Sequence, residues 1–310
     1  RTVGFLRDVL ARPGGGFYLA QAADPLSEDG GGWWRGETPT DDVPPIDHLV
    51  LAGPNAEAGA ALLRAGAIAG DGAWTSAGRE ALELVLADAV PGAGIRHVIE
   101  PRPAEHRFLG TQSEVAFALI DAYESTGDRR YLVAAREIAD FTIANLLDSG
   151  ETAFRDRLEG VEEIGLLANA RRPLRENARM ARAMLRLAIH GQGETYRDQA
   201  LGVLSAFSGD LGRYGVHATE AALGIEELIR PPLVLRIEGP PADASTRALR
   251  SAALGASWPW TVIATGDDGP DASPAIVAVF RGEERRIDSL EAFDAFLEHA
   301  LTLIPGGDRP

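Results

Sequence analysis

Neither cysteine nor lysine occurs in this chain, and all 30 of its basic residues are arginine. Without cysteine the chain holds no disulfide, no thiolate metal site and no CxxC redox pair, although this leaves its compartment open. Without lysine, Schiff-base chemistry and the lysine of a phosphate-binding P-loop are excluded. No apolar run approaches the roughly 20 residues of a membrane-spanning helix. The histidines show no HxH or HExxH spacing, so no metal site is expected, and Gly239-Pro240-Pro241 lacks the glycine pattern of a phosphate loop, so no cofactor is expected either. Basic surface is scarce: 46 acidic residues give a net charge of −16, which argues against nucleic acid and anionic membrane as partners. No basic segment with an apolar core follows Arg1, so no signal peptide is visible and a cytoplasmic location is expected.

What is present is a repeat. Helix, then Gly-(Asp/Glu)-x-(x)-aromatic, then helix occurs as LLRAGAIAGDGAW (Leu62–Trp74), LIDAYESTGDRRY (Leu119–Tyr131) and MLRLAIHGQGETY (Met184–Tyr196). Upstream, Val3–Leu10 followed by GGGFY (Gly14–Tyr18) reads like the tail of the Ala134–Phe154 segment, which contains IADFTIANLLDSGETAF. The chain is therefore expected to open on the second helix of a hairpin whose first helix is absent.

Between the repeats lie long connections rich in Gly, Pro and Asp: residues 19–54, Pro91–Gly110 and Phe154–Pro173. The hairpins are expected at Asn55–Val90, from Thr111 onward, and at Arg175–Ser208, with a last helix at His217–Ile229 that ends before Pro231-Pro232. Thr111 and Glu114 have the spacing of a capping box. On the helix after Gly127-Asp128, Leu132, Ala135, Ile138 or Ala139, Thr142 and Leu146 form an apolar stripe at helical spacing. Strands are expected at Leu233–Glu238, Thr261–Ala264 and Ala275–Phe280, with helices at Asp243–Gly255 and Ser289–Leu303.

These elements define a mainly α chain: helical hairpins forming part of an (α/α) toroid over residues 1–230, then a small α/β unit over 231–310. The hairpins recur about every sixty residues, longer than the roughly 33–47 residues of the common helical solenoid repeats. Seven helices cannot close a ring of six hairpins. The rest of the ring is expected from an N-terminal segment or a partner chain.

Four stretches carry a resemblance to a known family. They are FLRDVLARPGGGFYLAQAAD (Phe5–Asp24), PNAEAGAALLRAG (Pro54–Gly66), RPLRENARMARAMLRLA (Arg172–Ala188) and PPLVLRIEGPPADASTRAL (Pro231–Leu249). Together they resemble the thioredoxin-domain-containing proteins typified by bacterial YyaL and mammalian spermatogenesis-associated protein 20. Ala22 stands where that family's acidic segment has its first Asp. The resemblance covers only the C-terminal half or so of a full member. It implies a toroid of the six-hairpin glycosidase type, related in shape to N-acylglucosamine 2-epimerases, and a missing or partner-borne thioredoxin-like domain. It implies no particular reaction.

Asn55, Gln112 and Asn177 occupy equivalent repeat positions, 15 or 16 residues before Gly70, Gly127 and Gly193. On the inner wall of a toroid they would ring one rim, where carboxamides suit sugar hydroxyls; helix capping is the competing role. Catalytic candidates are His106, Asp156 and Glu176, and further ligand contacts are expected from Asp24, Arg155, Trp33 and Trp34. A sugar hydrolase would need two carboxylates roughly 5–9.5 Å apart, and an epimerase a proton-transferring His. The chain is thus expected to be a carbohydrate-related toroid half, epimerase- or glycosidase-like. The alternative is a non-catalytic scaffold or binding subunit for a thioredoxin-like domain or partner.

Overall fold

The computed structural model describes residues 2–22, 45–101, 106–158, 169–209, 211–256, 258 and 260–301. A short opening helix, α1 (Thr2–Phe5), runs into a π-helical stretch at Leu6–Leu10. Three helix pairs follow: α2 (Ala52–Ala69) with α3 (Gly72–Asp88), α4 (Leu109–Thr126) with α5 (Arg129–Leu146), and α6 (Leu174–Ile189) with α7 (Thr195–Phe207). The one-turn α8 (Leu211–Tyr214) and a 3₁₀ turn lead into α9 (Thr219–Ile229).

The repeated Gly-Asp explains the first two turns. Gly70 and Gly127 end their helices at φ of 68° and 78°, a left-handed backbone that strains any residue with a Cβ. The aspartate that follows caps the next helix: Asp71 accepts from the N–H groups of Ala73 and Trp74, and Asp128 from that of Arg130.

Helices α2, α4, α6 and α9 pack side by side as an inner row, each of the first three backed by its own hairpin partner. The chain is therefore a mainly helical arc of an (α/α) toroid followed by a small sheet unit. The α2–α3 pair approaches closely because it meets at glycine: a Cβ on Gly78 would lie 2.6 Å from the Gly59 carbonyl oxygen. Every residue of the α5 stripe expected from the sequence is buried. The toroid core runs continuously through Leu63, Leu82, Leu119, Tyr131, Met180 and Met184.

One face of α6 carries arginines paired with carboxylates from its neighbours. Arg179 meets Glu57 of α2, Arg182 meets Glu220 and Glu227 of α9 at 2.6 Å each, and Arg186 meets Asp121 and Glu124 of α4 at 2.6 and 2.9 Å. The spacing of these arginines, three and four residues, puts them on one stripe.

Short strands line the loops: β1 (Ala20–Gln21) pairs antiparallel with β2 (Ile46–Asp47), and β3 (Val50–Leu51) with β4 (Val98–Glu100). Beyond α9, strand β5 (Leu233–Glu238) leads through α10 (Ala244–Gly255) to the parallel β6 (Thr261–Thr265). The antiparallel strands β7 (Ala275–Phe280) and β8 (Glu283–Ile287) and helix α11 (Leu290–Leu301) complete this part, with strand order β6-β5-β7-β8. Its own apolar cluster contains Leu235, Ile237, Leu249, Ile276 and Phe293. Strand β8, unforeseen in the sequence, reads Glu-Glu-Arg-Arg-Ile with only Ile287 buried; such charge is what an edge strand carries to resist further pairing.

The sheet meets the helical arc at the hairpin-turn end. The fully buried Glu124 carboxylate accepts from Arg186, from His190 Nε2 at 3.0 Å and from the Ile263 N–H of β6, while the Glu124 carbonyl accepts from Arg250 of α10 at 2.9 Å. Beside it the Tyr123 hydroxyl accepts from the Thr265 N–H. Burial alone would raise the Glu124 pKa, but the positive neighbours outweigh it and hold the carboxyl below its ordinary value.

A group depressed in this way contributes stability above the ordinary carboxylate pKa and loses it as pH falls through the folded value. Glu124→Gln is therefore expected to cost about 3–5 kcal/mol at pH 7, the usual effect of breaking a buried pair. Urea unfolding should show the gap between variant and parent closing in acid; equal stability at pH 7 would contradict this.

Candidate functional site

The three carboxamides do occupy equivalent places, each the fourth residue of an inner helix. Each is buried, and each makes the same three hydrogen bonds. Asn55 Oδ1 accepts from the Phe17 N–H at 2.7 Å, and Nδ2 donates to the carbonyls of Phe17 and Leu51. Gln112 Oε1 accepts from the Ile95 N–H at 2.8 Å, and Nε2 donates to Ile95 at 2.7 Å and more weakly to Phe108. Asn177 pairs in this way with Phe154 and with the Pro173 carbonyl. The amides thus clamp the incoming loops rather than facing an open rim, and both of their N–H donors are occupied. They are not N-caps either. The helix preceding residues are Leu51, Phe108 and Pro173, and each amide reaches back to that residue's carbonyl. Ile95, a clamped partner not foreseen from the sequence, follows Gly-Ala-Gly much as Phe17 follows Gly-Gly-Gly, and that local likeness is its only sequence signal.

By fixing the loops, the clamps shape a cavity of about 280 Å³ at the N-terminal ends of α4 and α6. Glu114, Glu176, Asp156, His97 and Thr111 line it. Burial raises the Glu114 carboxyl above the ordinary carboxylate range, and the charge of Glu57 adds to this against Arg179 and Arg175. Glu114 packs directly over Gly53 of α2, where any Cβ would collide with its carboxylate. His97 Nδ1 lies 2.8 Å from Thr111 Oγ1, and burial followed by repulsion from His106 lowers the His97 pKa. Thr111 therefore does not form the expected capping box with Glu114: the helix begins at Leu109, and its hydroxyl serves His97 instead.

The other candidates divide. Glu176 and Asp156 reach this cavity, with Asp156 bonded to Arg157 at 3.0 Å. His106 is exposed and stacks on Phe108, 5.8 Å between ring centres; His97, not His106, lines the cavity. Arg155 reaches Asp148 at 3.1 Å and the Asn145 carbonyl. Asp24, Trp33 and Trp34 lie outside the described residues. Among the described residues no cluster of His, Asp or Glu is arranged to hold a metal ion, and no helix is long and apolar enough to cross a membrane.

Fold and cavity together define a partial (α/α) toroid with an acid- and histidine-lined rim pocket. No protein-family model matches the chain, and no curated protein is similar to it in sequence. Among solved structures it is similar to the cellobiose 2-epimerase of Bacillus thermoamylovorans, at 13% identity and a TM-score of 0.51, over 66% of this chain and 52% of that one. It is similar also to the cellobiose 2-epimerase of Spirochaeta thermophila, at 15% identity and a TM-score of 0.51, over 66% and 50%. A D-mannose isomerase aligns at 12% identity and a TM-score of 0.50, over 68% and 50%. At such identities the likeness is one of fold, and the aligned part spans about half the length of those proteins.

A carboxyl whose pKa is raised in the fold contributes stability below its unfolded pKa and loses it as pH rises through the folded value. Glu114→Gln is accordingly expected to melt above the parent at pH 8 and with it at pH 4. A variant less stable than the parent at pH 8 would show that the charge, not the proton, is favoured there.

Proposed function

We propose that the rim pocket binds a sugar and that the chain is part of an epimerase- or glycosidase-like toroid. The observation that carries this reading is the opposed environment of two groups in one cavity. Glu114 is held toward its protonated form and His97 toward its neutral form, an arrangement that supplies an acid and a base at the same pH. When Nδ1 of His97 donates to Thr111, Nε2 becomes the basic atom. Either reaction class needs a donor and an acceptor flanking one reacting carbon. Glu176 and Asp156 supply further acceptors for hydroxyl hydrogens.

The toroids of similar fold named above act on sugars by their own names, which supports the substrate class. On this reading the remaining wall of the funnel comes from a further segment or a partner chain. The sequence resemblance to thioredoxin-domain-containing proteins belongs to the same proposal, as one source of that partner.

The test is saturation-transfer NMR with D-mannose and with cellobiose, on the parent and on Glu114→Gln with His97→Ala. The expected outcome is transfer from the parent to at least one of the sugars and about tenfold weaker binding by the double variant. No transfer to either sugar, or equal transfer from the variant, would sink the proposal.

A further inference from the structure

The larger cavity lies at the opposite end of the arc. It measures about 670 Å³, within the roughly 300–1,000 Å³ of small-molecule sites, and is bounded by the turn ends of α2 and α4 and by α10. Its charged lining residues are Asp71, Arg79, Arg247 and Arg250. Asp71 is committed to capping α3. Arg250, largely buried, donates to the Glu124 carbonyl and to the Thr265 hydroxyl, and its guanidinium packs against Gly127, where a Cβ would lie 2.8 Å from Nη2. Burial lowers its pKa, since these partners are neutral oxygens. Arg247 donates to the Ala242 carbonyl. The nearby acids bond elsewhere, Asp128 to Arg130 and Asp243 to the N–H groups of Ser245 and Thr246 at the start of α10, while also feeling the charge of Arg79 and of Arg247 respectively.

Two more features point to a ligand. The Ser125 hydroxyl, on a residue only 4% exposed and lining the cleft, has no hydrogen-bond partner among the described residues. An unmet buried hydroxyl carries a cost that a bound acceptor or donor would remove. And three guanidinium groups around one cleft stand out on a chain of net charge −16.

We propose that this cleft binds a small phosphate monoester, its phosphate held by Arg79, Arg247 and Arg250 and one of its hydroxyls or ester oxygens by Ser125. Guanidinium forks match phosphate oxygens in both charge and geometry. The site is distinct from the rim pocket, and the two proposals stand or fall separately.

The experiment is calorimetric titration of the full chain with glucose 6-phosphate at fixed ionic strength, with glucose as the uncharged probe. Arg79→Gln/Arg247→Gln is the test variant, because both side chains are exposed and their loss leaves the core intact. Expected are binding of glucose 6-phosphate, competition by inorganic phosphate, and a loss of about tenfold or more in the variant. Absence of binding, binding no different for glucose, or an undiminished variant would each overturn the proposal.

Discussion

A buried carboxamide paired with both the N–H and the C=O of one loop residue is the interaction that organises the rim of this protein. A side-chain amide offers the same donor and acceptor as a peptide, so it can satisfy a loop residue's N–H and C=O together, as a neighbouring strand would. Asn55, Gln112 and Asn177 do this for Phe17, Ile95 and Phe154 at sequence separations of 38, 17 and 23 residues. A long connection can then vary in length and still arrive at its helix at one fixed point. The walls of the Glu114–His97 cavity are set by that arrival: the segment clamped at Ile95 carries His97 two residues on, and the one clamped at Phe154 carries Asp156.

The two ends of the arc have different chemistry for a common reason. Helices α2, α4 and α6 all start at the rim and end at the hairpin turns. At the rim, Glu176 sits in the first turn of α6, where the helix dipole favours negative charge. At the turn end the C-terminal sheet has to be seated on exposed carbonyls, and arginine does much of this, Arg250 on the Glu124 carbonyl and Arg64 on that of Leu254. Glu124 ties both arrangements to the α6 arginine stripe. It is buried yet held below its ordinary pKa because donors from α6, from that helix's C-cap residue His190 and from β6 converge on it.

Much of this was legible in the sequence, and the reasons are local. Gly-Asp turns, the stripe on α5 and the equivalence of the three amides follow from backbone preference and helical period, which act within a few residues. The likeness of the Gly14–Tyr18 stretch to the segment ending at Phe154 was visible as well, and the structure gives both phenylalanines the same clamped role. What the amides do was not legible. An Asn one turn into a helix looks alike whether it meets a ligand or a loop that returns from far along the chain. His106 and His97 were likewise indistinguishable as letters; burial separates them. Strand β8 was hidden because its side chains answer to solvent and edge protection rather than to a core.

Amide hydrogen exchange at Phe17, Ile95 and Phe154 bears most directly on the clamp. If these N–H groups are held by buried carboxamides, they exchange as slowly as amides in the cores of α4 and α6, by large-scale opening alone. Exchange at the rate of neighbouring unbonded loop amides would show that the loops are not fixed in this way, and that the amides are available for something else.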